Sequence, residues 1–182
     1  LAWLKDNSVD VLALQETKLI DQDFPVAEIN QAGYQVQYSG QKTYNGVAIL
    51  SKQPGTNTAT NLAGPDDPQQ RTLVTTIEDV RVLNLYVVNG SEVGSDKYAY
   101  KLDWLKRVTA FIKKDLKKYP NYVVLGDFNI APEDRDVYSP AAWHEKILCS
   151  NKERRALQAI LKLGLVDTFR LFEQEENSFS WW

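Results

Sequence analysis

VVLGDFNIAP, residues 123–132, runs three apolar residues into a glycine, sets an aspartate and an asparagine two apart, and closes on a proline. Val123, Val124 and Leu125 form a short apolar run between turn formers, the pattern of a buried strand. Side chains alternate along a strand, so Asp127 and Asn129 share a face if the extended path continues through Phe128. Gly126 allows backbone or ligand to come close, and Pro132 stops further pairing. A carboxylate and an amide at a strand end suit a metal or a phosphate. The same residues also suit an Asx turn that satisfies the loop's own backbone.

The rest of the chain supplies a frame for that strand. VDVLAL, at 9–14, is an apolar strand running into Gln15-Glu16-Thr17-Lys18. Residues 34–38 alternate, and NGVAIL, at 45–50, is a buried strand. Residues 71–77 and 81–88 are two strands rich in Val, Leu and Thr, whose short link at 78–80 predicts an antiparallel hairpin. The spacing of Leu102, Leu105, Val108, Phe111, Ile112 and Leu116 predicts a helix over 98–118, with Lys113, Lys114, Lys117 and Lys118 on its solvated side. A long loop over 131–150 precedes a helix over 152–163 that Gly164 stops. Residues 1–5 read as the tail of a helix, and 178–182 as the start of a strand. Hairpins mixed with amphipathic helices indicate sheets covered by helices, an α/β or α+β layered domain spanning 1–182 without an internal linker.

Composition narrows the chemistry. The 182 residues are 43% apolar and 25% charged, ordinary for a globular domain with a real core. No apolar run approaches the roughly 20 residues that span a bilayer, so no membrane contact is expected. A single cysteine excludes an internal disulfide framework and fits a reducing, cytoplasmic compartment. A single histidine excludes a multi-histidine metal site. Any metal must be held mainly by oxygen, which favours Mg²⁺ or Mn²⁺ over Zn²⁺. A net charge of −3 argues against coating nucleic acid by bulk charge but allows a local basic rim around an acidic centre.

Glu16 ends one apolar strand as Asp127 ends another. Buried acidic groups are costly unless paired, protonated or bound to a cation, so the two strands are expected to deliver oxygen ligands to one cation. A third strand, in VLNLYVVNG, brings Tyr86 and Asn89. Both can hydrogen-bond a phosphate oxygen, although Tyr86 alone reads more readily as a half-buried strand aromatic.

LQETKL (14–19), YNGVAILSK (44–52), LNLYVVNG (83–90), LGDFNIAPED (125–134), GLVDTFR (164–170) and FSWW (179–182) occur in this order. Together they resemble the exonuclease III family of DNA-repair nucleases, which includes abasic-site endonucleases. GSDKYAYKLDWL, at 94–105, is similar to the bacterial branch. The resemblance implies a four-layered α/β/β/α sandwich of the DNase I-like type and a Mg²⁺-dependent, monomeric phosphodiesterase. Its substrate would be double-stranded DNA, cut at abasic sites or trimmed at 3′ ends. It implies Glu16 as a metal ligand, and Asp127 beside the metal and the attacking water, as base or as acid to the leaving oxygen. It further implies Asn129 orienting that aspartate or the water within the metal site, and Tyr86 on the phosphate. Asn89 and Arg71 would bind the DNA backbone, and Trp181 would line a pocket for an extruded abasic sugar with Trp182 packed beside it. His144 stands in the wrong segment for the family's catalytic histidine. The resemblance also leads us to expect a strand before residue 1 carrying an asparagine, and strands after Trp182 carrying an aspartate and a histidine. The chain is therefore expected to be a fragment, nearly inactive and marginally stable by itself. Val88 replaces a proline common in the family, which loosens the loop of Asn89. Two alternatives stand beside this reading. One is a phosphodiesterase of the same fold acting on a lipid, and the other a silent DNA- or protein-binding module.

Overall fold

The computed structural model describes residues 2–182; Leu1, the first residue of the expected helix tail, lies outside them. The chain divides into two compact units, Leu1–Val87 with Lys114–Phe128, and Val88–Lys113 with Asn129–Trp182.

The first unit holds both sheets. Strands β1 (Val11–Gln15), β2 (Gln35–Ser39) and β3 (Val47–Ser51) form one in the order β1-β3-β2, all antiparallel. Strands β4 (Gly55–Thr60), β5 (Thr72–Ile77), β6 (Val80–Tyr86) and β7 (Tyr122–Asp127) form the other in that order. Its pairings are antiparallel except β6–β7, which is parallel.

The central strand β3 shows why a continuous apolar run was required. All five of its residues are buried. Val47 and Ile49 face the other sheet and pack with Leu73, Ile77 and Val82. Ala48 and Leu50 face the opposite way, into a cluster with Ile29 and Tyr34 that Phe24 and Leu4 help to cover. Helices α1 (Ala2–Asp6) and α2 (Val26–Gln31) contribute to that cover. A strand covered on both faces needs apolar residues at both parities. The two-sheet α/β sandwich expected from the sequence is therefore present.

Between the sheets lies a buried amide. Asn84 of β6 is fully buried, and its Nδ2 donates to the carbonyls of Leu14 (2.8 Å) and Ala48 (3.0 Å). Its Oδ1 accepts from Gln15 Nε2 at 2.7 Å. The sheets are thus stitched by hydrogen bonds next to the end of β1.

The hairpin over 71–88 forms with Ile77 opposite Val80, closed by Glu78 and Asp79, with Glu78 at φ 53°. Strand β4 and helix α2 have no counterpart in the sequence reading. The edge strand β4, GTNTAT, is mostly exposed threonine and asparagine with a register shift between Thr56 and Ala59, so it lacks apolar alternation.

Helix α3 runs Asp96–Asp115, and the expected lysines are exposed. Its buried face is not the expected stripe alone. Lys101, Trp104 and Asp115 join Leu105, Val108 and Ile112 in burial, while Leu102 and Phe111 are only half-buried. In the second unit, the loop after Ala131 includes the short helix α4 (Pro140–Trp143), and Ala131, Val137, Leu148 and Cys149 form a small core. Helix α5 (Asn151–Leu161) opens on a capping box between Ser150 and Glu153. The strand expected over 178–182 reduces to a single parallel bridge between Val137 and Trp181.

Candidate active site

The first unit gathers Glu16, Arg71, Tyr86 and Asp127. Glu16 directly follows β1 at φ 54°, a left-handed conformation that costs a glutamate on the order of 1–3 kcal/mol. Lys18, at φ 55°, shares it. The turn is braced from outside. Thr17 N–H donates to the Gly46 carbonyl (3.2 Å), and Lys18 N–H to that of Asn45 (3.0 Å). Gly46, at φ 86°, leaves no room for a side chain, because a Cβ there would overlap the Thr17 hydroxyl. NGVAIL thus supplies both the central strand and the brace of the Glu16 turn.

The Glu16 carboxylate lies 2.9 Å from Lys18 Nζ and is about half exposed. The hydrogen bond from Lys18, and then that from Tyr86, hold its carboxyl below the usual range. It is therefore ionised and reachable. Tyr86 shows the reciprocal effect. Burial first, and the Glu16 carboxylate second, push its phenol upward, so it remains a neutral O–H donor.

Arg71 is locked onto Tyr86. Its guanidinium carbon stands 4.5 Å from the ring centroid, and Nη1 donates to the Tyr86 carbonyl at 3.2 Å. In return Tyr86 N–H donates to the Arg71 carbonyl at 2.8 Å. Asp127, the last residue of β7, is the register partner of Tyr86. Gly126 before it has φ 128°, and a Cβ there would overlap the Leu85 carbonyl of β6. Of the two reasons for a glycine at this position, the close neighbour is backbone. Tyr86 thus links the two acidic strand ends, its phenol hydrogen-bonded to Glu16 and its backbone in register with Asp127.

The expectation that Asp127 and Asn129 alternate along one extended path is corrected. The strand ends at Asp127, and Asn129 takes φ 47°, so strand alternation no longer fixes where its side chain points. Asn129 instead belongs to the second unit with Asn89, whose Nδ2 lies 3.3 Å from Asn129 Oδ1. Asn89 Oδ1 accepts from Ser91 N–H at 3.1 Å, so the local Asx turn falls on Asn89.

Trp181 is held by backbone. Tyr138 N–H donates to its carbonyl (2.9 Å) and its own N–H donates to that of Asp136 (3.3 Å). The Asp136 carboxylate is anchored by Arg170 and by Glu133 N–H. The Trp181 ring meets Trp143 edge-on at 5.6 Å and stays 36% exposed, while Trp182 is largely solvent-facing. His144 is an exposed residue at the end of α4.

Among the described residues no cluster of three or more His, Cys, Asp or Glu side chains is assembled for a metal. The donors at hand are carboxylate and amide oxygens. An ionised, accessible Glu16 on a rigid strained turn fits a hard cation such as Mg²⁺ and suits Zn²⁺ poorly.

Three groups escaped the sequence reading. Lys18 holds Glu16, and Trp143 backs Trp181. Lys101 forms a fully buried ion pair with Glu153. The last left a signal, since Lys101 falls at a core position of the α3 periodicity and Ser150–Glu153 spells a capping box.

Comparison with known proteins bears on the family and the fold. Residues 1–167 match the Endonuclease/Exonuclease/phosphatase family. An exodeoxyribonuclease of Bacillus subtilis is 30% identical over 186 aligned residues, covering 100% of this chain and 72% of the relative. The 3′ phosphatase NExo from Neisseria, solved with a product DNA hairpin, superposes with a TM-score of 0.94 at 45% identity, over 96% of this chain and 68% of that one. An AP endonuclease from Archaeoglobus fulgidus gives 0.90 at 37% identity, over 97% and 68%.

Proposed function

The chain belongs to the exonuclease III and AP-endonuclease branch of the Endonuclease/Exonuclease/phosphatase family, and from that premise we propose that it hydrolyses DNA phosphodiesters at abasic sites and 3′ ends as a DNA-repair nuclease. One observation carries the reading: an ionised Glu16, a neutral Tyr86 under Arg71, and Asp127 in register with Tyr86. Such a set offers anionic oxygen to a cation, and a neutral and a cationic donor to a phosphate.

Glu16 and Asp127 would hold Mg²⁺, or alternatively Mn²⁺, with Asn129 contributing its amide oxygen. The bound cation would screen the phosphodiester's charge, which otherwise repels an anionic nucleophile. Tyr86, whose one O–H donates to Glu16 here, would redirect that hydrogen bond to a phosphate oxygen and keep its proton. Asp127 exchanges a proton with the reacting oxygens, and Asn129 would orient that aspartate or the attacking water. Arg71 and Asn89 bind the DNA backbone, and the exposed face of Trp181 walls the pocket for an abasic sugar. Extruding a sugar with no base to unstack costs less than flipping an intact nucleotide, which gives the selectivity.

The likeness to a 3′ phosphatase supports 3′-end processing as a second activity of this chemistry. We further propose that residues 1–182 act as one domain of this family type, as a monomer. The buried thiol of Cys149 fits a reducing, cytoplasmic setting, and no helix among the described residues is long and apolar enough to cross a membrane.

The test supplies the full-length protein with two labelled duplexes and Mg²⁺, one duplex with an internal abasic site and one with a recessed 3′ end. Chelator and Asp127→Asn serve as controls. Cleavage is expected to fall by at least about 10³-fold in the variant and to vanish with chelator. Cleavage that survives both controls would exclude the assigned roles. Trimming of the second duplex alone would restrict the chain to 3′ ends.

A further inference from the structure

Lys101 is fully buried in the second turn of α3, and so is its partner Glu153 at the start of α5. Removing two charges from water is expensive, and an apolar pair of similar volume is commonly as stable. Stability alone therefore does not account for a lysine at this position. Its other contacts do. Lys101 Nζ donates to the backbone carbonyl of Asn89 at 3.0 Å and to that of Asn129 at 2.6 Å. Three donors of one ammonium meet one carboxylate and two carbonyls, a set that no apolar residue and no acceptor could satisfy.

Glu153 is itself immobilised. It accepts from Leu148 N–H (3.1 Å), Ser150 N–H (3.2 Å) and the Ser150 hydroxyl (2.6 Å). The Ser150 hydroxyl is also 2.6 Å from that of Tyr98, one turn before Lys101 on α3. The ammonium is therefore fixed on both sides, by its own helix and by the cap of α5.

We infer that Lys101 is a positioning residue for phosphodiester hydrolysis: it clasps the two asparagine-bearing loops by their carbonyls and so sets the amides of Asn89 and Asn129 against each other at 3.3 Å. The inference rests on the proposed function and adds a role outside the reacting groups. Asn129 sits at a positive φ beyond the end of β7. Asn89 lies in an irregular segment beyond β6.

The test compares Glu153→Gln with Lys101→Met/Glu153→Gln. Both remove the carboxylate charge, and only the second removes the clasp. With the abasic and recessed-end duplexes and saturating Mg²⁺, kcat of the double variant is expected about 100-fold below Glu153→Gln, because a displacement of about 1 Å in a positioned group costs that much. KM should stay within about threefold, which separates positioning from lost binding. The side-chain amide resonances of Asn89 and Asn129 should shift in the double variant alone. Lys101→Gln/Glu153→Gln, which keeps a donor and disturbs packing less, should fall between the two and serves if the methionine variant does not fold. Equal kcat in all three, or a loss that merely tracks the folded fraction, overturns the inference. A full-length wild-type protein that cleaves neither duplex overturns the proposed function and the inference with it.

Discussion

Replacing Asn84 with leucine changes little volume but removes three hydrogen bonds between the sheets, from Gln15 and to the carbonyls of Leu14 and Ala48. At about 0.5–1.5 kcal/mol each, the loss is ~3 kcal/mol, part of it the cost of a Gln15 amide left facing an aliphatic chain. A domain of this size loses roughly 2–4 °C of melting temperature per kcal/mol, so Asn84→Leu should melt about 6–12 °C lower. A double-mutant cycle localises the effect. Gln15→Leu added to Asn84→Leu should recover about 1 kcal/mol, the coupling of their single bond, while the two carbonyls keep the remainder lost. Because Gln15 precedes Glu16, the loss should also reach the site, and the Mg²⁺ concentration for half-maximal cleavage should rise several-fold. Calorimetry and a Mg²⁺ titration of cleavage read the two effects. A melt within about 1 °C of wild type, or strictly additive singles in the cycle, would refute the reasoning that this amide clamps the end of β1.

Gly126→Ala combines a φ of 128° with a Cβ on the Leu85 carbonyl, so β7 must slide or bend away from β6. We expect a loss of about 3–5 kcal/mol and cleavage reduced beyond the folded fraction, since Asp127 is displaced from Tyr86; denaturant titration with activity at matched folded fraction checks both, and a loss below about 1 kcal/mol counts against it. Tyr86 has its phenol raised by burial and by Glu16. Its contribution to stability is therefore complete below the ordinary value of about 10 and is lost only as pH climbs through the higher folded value. An ultraviolet tyrosinate titration of wild type minus Tyr86→Phe should show a midpoint above 10, and one at or below 10 contradicts the Glu16–Tyr86 contact. Glu16 has the opposite sign: its folded carboxyl is lowered, so its contribution is present above the ordinary carboxylate value and lost as pH falls through the folded one. Lys18→Ala should move the acid limb of the cleavage profile to higher pH, and an unmoved limb removes Lys18 from the account.

What could be read from the chain was whatever burial imposes on consecutive residues. NGVAIL declares β3 because both faces are covered, and VVLGD declares β7 because a glycine is forced where β6 presses on it. Glu16 and Asp127 stood out as charges at the ends of apolar runs, and the first unit does gather Glu16, Tyr86 and Asp127. Polar edge strand β4 left no such mark, since an edge is kept soluble by the residues that hide it from pattern reading. Asn129 escapes strand alternation because the extended path ends at Asp127 and the backbone turns left-handed beyond it. Lys101 was passed over because helical periodicity counts apolar residues, and a cation on the inner face registers as an interruption. The parallel pairing of β6 with β7 depends on a return through α3 that no local signal encodes.

That parallel pairing also sets an order of assembly. Strands β5 and β6 zip through a two-residue turn, whereas the chain leaves β6 at Tyr86 and rejoins it only at Tyr122, after all of α3. Closing so long a loop spends chain entropy before any native contact rewards it, and nonlocal closures of this kind are the slow steps of folding. Tyr86 and Asp127 lie at the far end of that register. The nascent protein thus acquires sheet structure first and chemical competence last. Refolding followed in parallel by circular dichroism and by cleavage should show the second trailing the first. Until that strand docks, the acidic end of β7 cannot come into register with Tyr86.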